Sequence, residues 1–199
     1  MPKLAALKQD LAALGAIAEV GFNPDETVAA QIRTLAAQLE ALNPTPEPAR
    51  AAALLRGRWR LLYSNFDLQR ATTLANLSFN MLPKTNVEVT ELYNEIDPAN
   101  GVYDNIITLM FEDGTPGSQV MLGEYSVEDD ARLDVRFSEA VVIGQGAPVR
   151  LAVDTARIPP LLTDITYLDE GFRLVRGTQG SLYILERLDA APMLWARDS

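Results

Sequence analysis

Two periodicities divide the chain near residue 57. Ahead of it, Leu4, Leu7, Leu11, Leu14 and Ile17 recur at intervals of three and four, which places them on one face of a helix ending near Gly21. A second helix is predicted from Asn23-Pro24-Asp25-Glu26, where Asn serves as cap, Pro suits the first helical position and the acids match the helix dipole. Its apolar stripe is Val28, Ile32, Leu35, Leu39 and Leu42. The run Asn43-Pro44-Thr45-Pro46-Glu47-Pro48 ends it, because each proline lacks an amide hydrogen and restricts the residue before it. A short Ala-rich helix, about Glu47 to Leu55, leads into Gly57.

From Trp59 onward the period is two. In GRWRLLYSNF, Trp59, Leu61 and Tyr63 are predicted on one side of a strand and Arg58, Arg60 and Ser64 on the other. Further strands are predicted over 86–96, 102–111, 119–128, 131–143, 148–155, 164–169, 171–176 and 181–188. Pro98-Ala99-Asn100-Gly101, Glu112-Asp113-Gly114, Glu128-Asp129-Asp130 and Gly177-Thr178-Gln179-Gly180 supply the hairpin turns. No helical pattern of crossover length separates these strands, so an antiparallel meander is favoured over a parallel sheet. Eight or so such strands remove their exposed edges by closing into a barrel. The expected fold is therefore mainly β with N-terminal helices (α+β): a helical segment over 1–56 and an antiparallel barrel domain over 57–199.

Composition narrows the chemistry. The chain has 199 residues, 48% of them hydrophobic, enough for one sizeable core. Its 17 Lys+Arg against 27 Asp+Glu give a formal net charge of -10, which disfavours nucleic acid and makes electrostatic docking to an anionic membrane start from repulsion. There is no Cys and no His, so disulfides, thiolate nucleophiles, Ser-His-Asp catalysis and imidazole metal sites are all excluded. An enzyme built on this chain would have to rely on carboxylates, Lys, Tyr or a borrowed cofactor. No uncharged apolar run approaches the roughly 20 residues of a membrane-spanning helix, and the N-terminus has no signal or transit character. An intracellular protein, or a trimmed mature form, is expected. The acids Glu112-Asp113 and Asp129-Asp130 lack EF-hand spacing and read as turn acids, and Gly144-Gln145-Gly146 precedes no helix, against a phosphate loop.

Several stretches together resemble one family. Leu39-Glu40-Ala41-Leu42-Asn43-Pro44-Thr45-Pro46-Glu47-Pro48 is followed by Leu55-Arg56-Gly57-Arg58-Trp59-Arg60-Leu61-Leu62-Tyr63-Ser64 and by Leu92-Tyr93-Asn94-Glu95-Ile96-Asp97 with Val102-Tyr103-Asp104-Asn105. The series closes on Thr166-Tyr167-Leu168-Asp169-Glu170-Gly171-Phe172-Arg173-Leu174-Val175-Arg176-Gly177 and Ser181-Leu182-Tyr183-Ile184-Leu185-Glu186-Arg187. In this order they resemble the plastid-lipid-associated proteins, also called fibrillins or plastoglobulins, of chloroplasts and cyanobacteria.

The resemblance implies a lipocalin-like barrel in which Gly57 and Trp59 form the first-strand signature. The indole would plug the closed end and an Arg from a late strand would pack across it, with Arg173 the first candidate and Arg176 and Arg187 behind it. Tyr63 and Asp169 complete the structural set, Asp169 as a turn cap. No cofactor, no catalytic residue and no metal are expected. The partner would be a lipophilic small molecule such as a prenylquinone, carotenoid or fatty acyl lipid, with peripheral contact to thylakoid membrane or lipid bodies. The corresponding location is the cytoplasm or thylakoid surface of a cyanobacterium, or a plastid.

One region carries the candidate site. Between Arg70 and Lys84 the segment ATTLANLSFNMLP has no charge, and it holds Leu74, Leu77, Phe79, Met81 and Leu82. In a lipocalin-like barrel this first long connection lies over the open mouth. Ile158-Pro159-Pro160-Leu161-Leu162-Thr163 is a second uncharged patch, placing Leu161 and Leu162 beside the same opening. Apolar mouth segments suit a hydrophobic ligand or a lipid surface, since both need desolvation without a compensating charge. They equally suit a cap that fills the barrel with its own side chains. Three functions stay open: a carrier of a lipophilic molecule, a structural coat of thylakoid or lipid-droplet surfaces, and a barrel enzyme on a lipophilic substrate.

Overall fold

The structure, a computed structural model, describes residues 2–198 except 24, 67–68, 145, 155–157, 159–160 and 178–179. Helix α1 spans Pro2–Ile17 and helix α2 Glu26–Glu40. Leu7 and Leu11 are buried, whereas Ile17, at the end of the expected stripe, is 59% exposed. A 3-10 turn, Glu19–Gly21, follows α1. At Gly21 (φ +111°) a Cβ would sit 2.1 Å from the Ser64 carbonyl oxygen, so only glycine lets the chain run this close to the first strand. The cap of α2 is Asp25 rather than Asn23: its carboxylate accepts from the amides of Thr27 (2.8 Å) and Val28 (3.0 Å), the donors left free at a helix start. Pro24 lies outside the described residues. Because α2 ends at Glu40, Leu42 falls beyond it and is exposed. The Ala-rich stretch divides into a 3-10 turn, Pro48–Arg50, and helix α3, Ala52–Leu55.

Ten strands follow. They are β1 (Gly57–Ser64), β2 (Ala71–Thr73), β3 (Asn86–Asp97), β4 (Val102–Phe111), β5 (Pro116–Val127), β6 (Arg132–Ile143), β7 (Val149–Ala152), β8 (Leu161–Leu168), β9 (Phe172–Gly177) and β10 (Leu182–Asp189). Helix α4 (Leu74–Leu77) sits between β2 and β3, and α5 (Trp195–Asp198) follows β10. Eight strands close antiparallel in the order β1-β10-β9-β8-β6-β5-β4-β3, with β3 pairing back onto β1 through Trp59 opposite Asn94. Near the mouth, β2 extends β3 and β7 extends β6. The result is an up-and-down, lipocalin-like barrel preceded by helices.

The helices cover one outer wall of the barrel. Leu7, Leu11, Ile32, Ala36 and Leu39 pack against Tyr63, Tyr167, Phe172, Leu174, Leu182 and Ile184 of β1, β8, β9 and β10. Tyr63 thus departs from the expected alternation. The β1–β10 register slips between Leu61 and Tyr63, leaving Leu62 as an extra residue, and such a bulge reverses the faces beyond it. Trp59 and Leu61 point into the barrel and Tyr63 points out to the helices. A second slip, between Ile165 and Tyr167, sends Tyr167 outward in the same way.

Polar ties hold this wall. Glu40 of α2 accepts from Arg176 Nε (2.9 Å) and Nη2 (3.0 Å) and from Thr166 Oγ1 (2.7 Å). Asn43 Oδ1 accepts from the Leu168 amide (3.0 Å), and Thr45 Oγ1 donates to the Leu168 carbonyl (2.6 Å). The Pro-rich segment therefore docks on β8.

Asp169 caps the β8–β9 turn by accepting from the amides of Gly171 (3.0 Å) and Phe172 (2.9 Å), while its other oxygen takes the Tyr167 hydroxyl (2.5 Å) and the Lys8 ammonium. Burial pushes its pKa up, but Lys8, Tyr167 and the Gly171 amide together hold it below the ordinary carboxylate value. A carboxyl that is more acidic folded than unfolded stabilises the protein above its unfolded pKa, and that contribution is lost as the pH falls through the folded value. Asp169→Asn is expected to cost about 1–3 kcal/mol at pH 7. Urea midpoints should show the gap between variant and wild type closing below about pH 4; a gap of constant size down to acid pH would mean that charge contributes nothing there.

Candidate functional site: the barrel interior and its mouth

Gly57 opens β1 at φ +139°, where a Cβ would lie 2.2 Å from the Asp189 carbonyl oxygen, so the signature glycine permits β1 to close on β10. Trp59 is fully buried at the closed end and donates its Nε1–H to the Leu55 carbonyl at 2.9 Å. Two guanidiniums pack on its ring: Arg187 Cζ lies 4.8 Å and Arg173 Cζ 5.0 Å from the centroid. They differ in what else they hold. Arg187 stands opposite Trp59 in the β1–β10 register and donates to the Leu54 carbonyl, tying the last strand to α3. Arg173 lies one pleat further from the closed end, since its neighbour Leu185 pairs with Leu61. It crosses the lumen to Asn94 Oδ1 at 2.6 Å, which also accepts from the Tyr103 hydroxyl at 3.1 Å, while Asn94 donates to Asn105 Oδ1 at 2.6 Å. Arg176 takes no part, because it faces outward to Glu40.

The mouth is closed by the charge-free segment. Leu74 and Leu82 are buried with Val87 and Leu109, and Leu77, Phe111, Val142 and Leu151 pack at their edge. Thr73 caps α4 by accepting from the Asn76 amide at 3.2 Å. Ser78, fully buried, donates to the Leu74 carbonyl (2.7 Å) and accepts from the Leu82 amide (3.0 Å), which folds the segment back on itself. At the tip Phe79 (φ 53°) and Asn80 (φ 63°) are both left-handed. For Asn that is ordinary; for a bulky Phe it is strained. Phe79 is also 51% exposed, and Phe66, at the end of β1 that reaches the mouth, is 56% exposed. Met81 hangs from this segment onto the interior cluster. A groove of about 740 Å³ runs beside α4, bordered by Thr73, Asn76, Val87, Met110 and Phe111.

The second patch is placed differently from the expectation. Leu161 and Leu162 open β8, opposite Val135 and Asp134 of β6, so they form strand rather than a mouth loop. Alternation sends Leu161 inward against the interior cluster and Leu162 outward to solvent. Pro159 and Pro160 lie outside the described residues.

The sequence reading missed the interior polar residues Asn94, Tyr103, Asn105 and Gln119. Their signal was a polar residue on the apolar beat of a strand: Asn94 alternates with Leu92 and Ile96, and Gln119 with Met121. The buried carboxylates Glu95, Asp104 and Asp134 face away from the lumen. Glu95 takes Arg58 Nε at 2.8 Å and the amides of Met193 and Leu194, Asp104 takes Arg197 at 2.6 Å, and Asp134 takes Arg136 at 2.6 Å. Burial raises the Asp104 pKa, and Arg197 with the Gly123 amide lowers it only in part. No group of acids among the described residues is arranged to hold a metal ion, and no helix among them is long and apolar enough to cross a membrane.

Comparison with known proteins gives a consistent set. A chromoplast-specific carotenoid-associated protein of Cucumis sativus is 26% identical over 83% of this chain and 62% of its own length. The probable plastid-lipid-associated protein 2 of Arabidopsis thaliana is 27% identical over 87% of this chain and 67% of its own. Plastoglobulin-1 of Pisum sativum is 26% identical over 85% and 57%. The chain thus spans about three fifths to two thirds of these relatives. A lipocalin-like protein of Bacteroides uniformis, 14% identical, aligns with a TM-score of 0.36 over 67% of this chain and 98% of that one. The PAP_fibrillin family model matches residues 5–186, the helices and nearly the whole barrel, and the chain belongs to that family, the plastid-lipid-associated proteins and fibrillins.

Proposed function

We propose that the protein is a non-enzymatic carrier that sequesters a lipophilic small molecule, such as a prenylquinone, carotenoid or fatty acyl lipid, inside its barrel, at or near plastid-type lipid bodies or thylakoid membranes. The observation that carries this reading is the charge-free segment 71–83, which closes the mouth with Leu74, Leu77 and Leu82 while holding Phe79 strained and exposed at its tip. β2 anchors the segment to β3 by strand pairing, and the part beyond it, whose side chains meet the barrel through Leu74, Leu77 and Leu82, can lift onto a hydrophobic ligand without breaking ion pairs. Inward-facing Leu92, Asn94, Asn105 and Ile107 also remain part-exposed, as expected of a lumen with room in it. The names of the relatives, carotenoid-associated and plastid-lipid-associated, support the same class of ligand.

Leu77→Asp tests it. A carboxylate at the lid costs a few kcal/mol to desolvate, so binding of a fluorescent fatty acid or quinone analogue should weaken at least about tenfold, with little change in thermal stability because Leu77 is only half-buried. A coat protein without a defined ligand is the second reading, favoured by Phe66 and Phe79 standing exposed at one end of the barrel. It predicts liposome association without saturable one-to-one binding. Turnover of the probe by wild-type protein would instead reinstate the enzyme. If the protein binds no lipophilic probe saturably and co-purifies with none, the segment is a self-filled cap.

A further inference from the structure

Inside the barrel several buried polar groups lack hydrogen-bond partners: two nitrogens of Arg173, Arg187 Nε and the carboxamide of Gln119. Arg173 is 0% exposed, and its Nε and Nη1 have no hydrogen-bond partner. Its side-chain hydrogen-bonding partners, Asn94 and Tyr103, are both neutral, and its guanidinium lies over the rings of Trp59 and Tyr103. No carboxylate among the described residues pairs with Arg173 or with Arg187. One pleat nearer the mouth than Asn105 and Met121, the carboxamide of Gln119 is also 0% exposed with both its oxygen and its nitrogen unpartnered. Buried polar groups are nearly always paired, and a buried charge without a counter-charge is the costliest exception. Burial pulls the Arg173 pKa down, yet a guanidinium keeps its proton in proteins, so the lumen carries positive charge inside a molecule whose net charge is -10. The Trp59 plug does not require this charge from Arg173, since Arg187 already packs on the indole and reaches the Leu54 carbonyl.

We infer that the base of the lumen is a receptor for an anionic head group, and that the ligand is a single-chain amphiphile with a carboxylate, seated head-down on Arg173 with its tail running to the Leu74–Leu82 lid. This rests on the carrier reading and narrows it. The lumen is graded to match: unsatisfied donors at the base and midway, apolar side chains at the lid. A carboxylate would accept from Arg173 Nε and Nη1, and Gln119 would supply the next hydrogen bond along the head. Met81 and Met121, unbranched and adaptable, are the interior side chains best able to make way for the chain.

Delipidated wild-type protein is titrated with cis-parinaric acid and with its methyl ester, which share a tail and differ in head charge. The acid should bind at least about tenfold tighter, as a charge-assisted hydrogen bond demands. With [1-13C]oleate bound, the carboxyl resonance should stay that of the ionised form at pH values where the free acid protonates, because a neighbouring cation lowers a carboxyl pKa. Arg173→Gln should remove the preference for the acid and leave ester binding intact. Equal affinity for acid and ester, or a bound carboxyl titrating at or above its ordinary range, overturns the head-group receptor while leaving the carrier standing. Absence of saturable binding by either probe overturns both. Should Arg173→Gln fail to fold, the two wild-type measurements decide the matter alone.

Discussion

Trp59→Ala is expected to lower folding stability by about 3–5 kcal/mol, the usual range for deleting a large buried aromatic. The size follows from what the indole touches. It is fully buried, its N–H is spent on the Leu55 carbonyl, and it is the surface on which Arg173 and Arg187 both rest. Alanine would leave a cavity and two guanidiniums stripped of their aromatic partner, each such contact being worth about 0.5–2 kcal/mol. Urea unfolding monitored by circular dichroism measures the loss. A value below about 1 kcal/mol would mean that the closed end is held by other contacts and that Trp59 is no plug.

The second large effect concerns the helices. We propose a division into a helical segment, 1–56, and a barrel domain, 57–199, in which the barrel depends on α1 and α2 for one of its walls. Removing residues 1–47 would bare Tyr63, Tyr167, Phe172, Leu174, Leu182 and Ile184. Each of those side chains loses about 1.5–3 kcal/mol of burial if left in water, and together that is comparable with a domain's whole stability of about 5–15 kcal/mol. The shortened chain keeps Leu54 and Leu55, the acceptors for Arg187 and Trp59, so any loss belongs to the outer wall. The expected result is a chain with little helical signal that unfolds without a sharp transition or self-associates through the bared face. A monomer with wild-type cooperativity would show that the barrel stands independently of its helices.

Much of this architecture was legible in sequence because its causes are local. The shift from a three-to-four spacing to a spacing of two marked where the helices give way to strands, and turn residues such as Asn100-Gly101 and Asp113-Gly114 located hairpins. The absence of His and Cys and the charge-free run 71–83 needed no coordinates to be informative. Capping was less secure, since Asn23 and Asp25 both have the chemistry and only the path of the chain selects Asp25.

What the sequence by itself determined, then, is the order and kind of elements, the burial of Trp59 and the apolar character of the mouth. The tertiary structure alone decided which side each residue faces and what it meets there. Bulges at Leu62 and beside Thr166 turned Tyr63 and Tyr167 out to the helices, and a bulge is set by the register of the partner strand, which lies more than a hundred residues away for β1 and β10. The same holds for Arg173 and Arg187. Alternation along one strand predicts that both point inward, but only closure of the barrel brings Leu54 to Arg187 and Asn94 to Arg173, leaving one nitrogen of the first and two of the second without a partner.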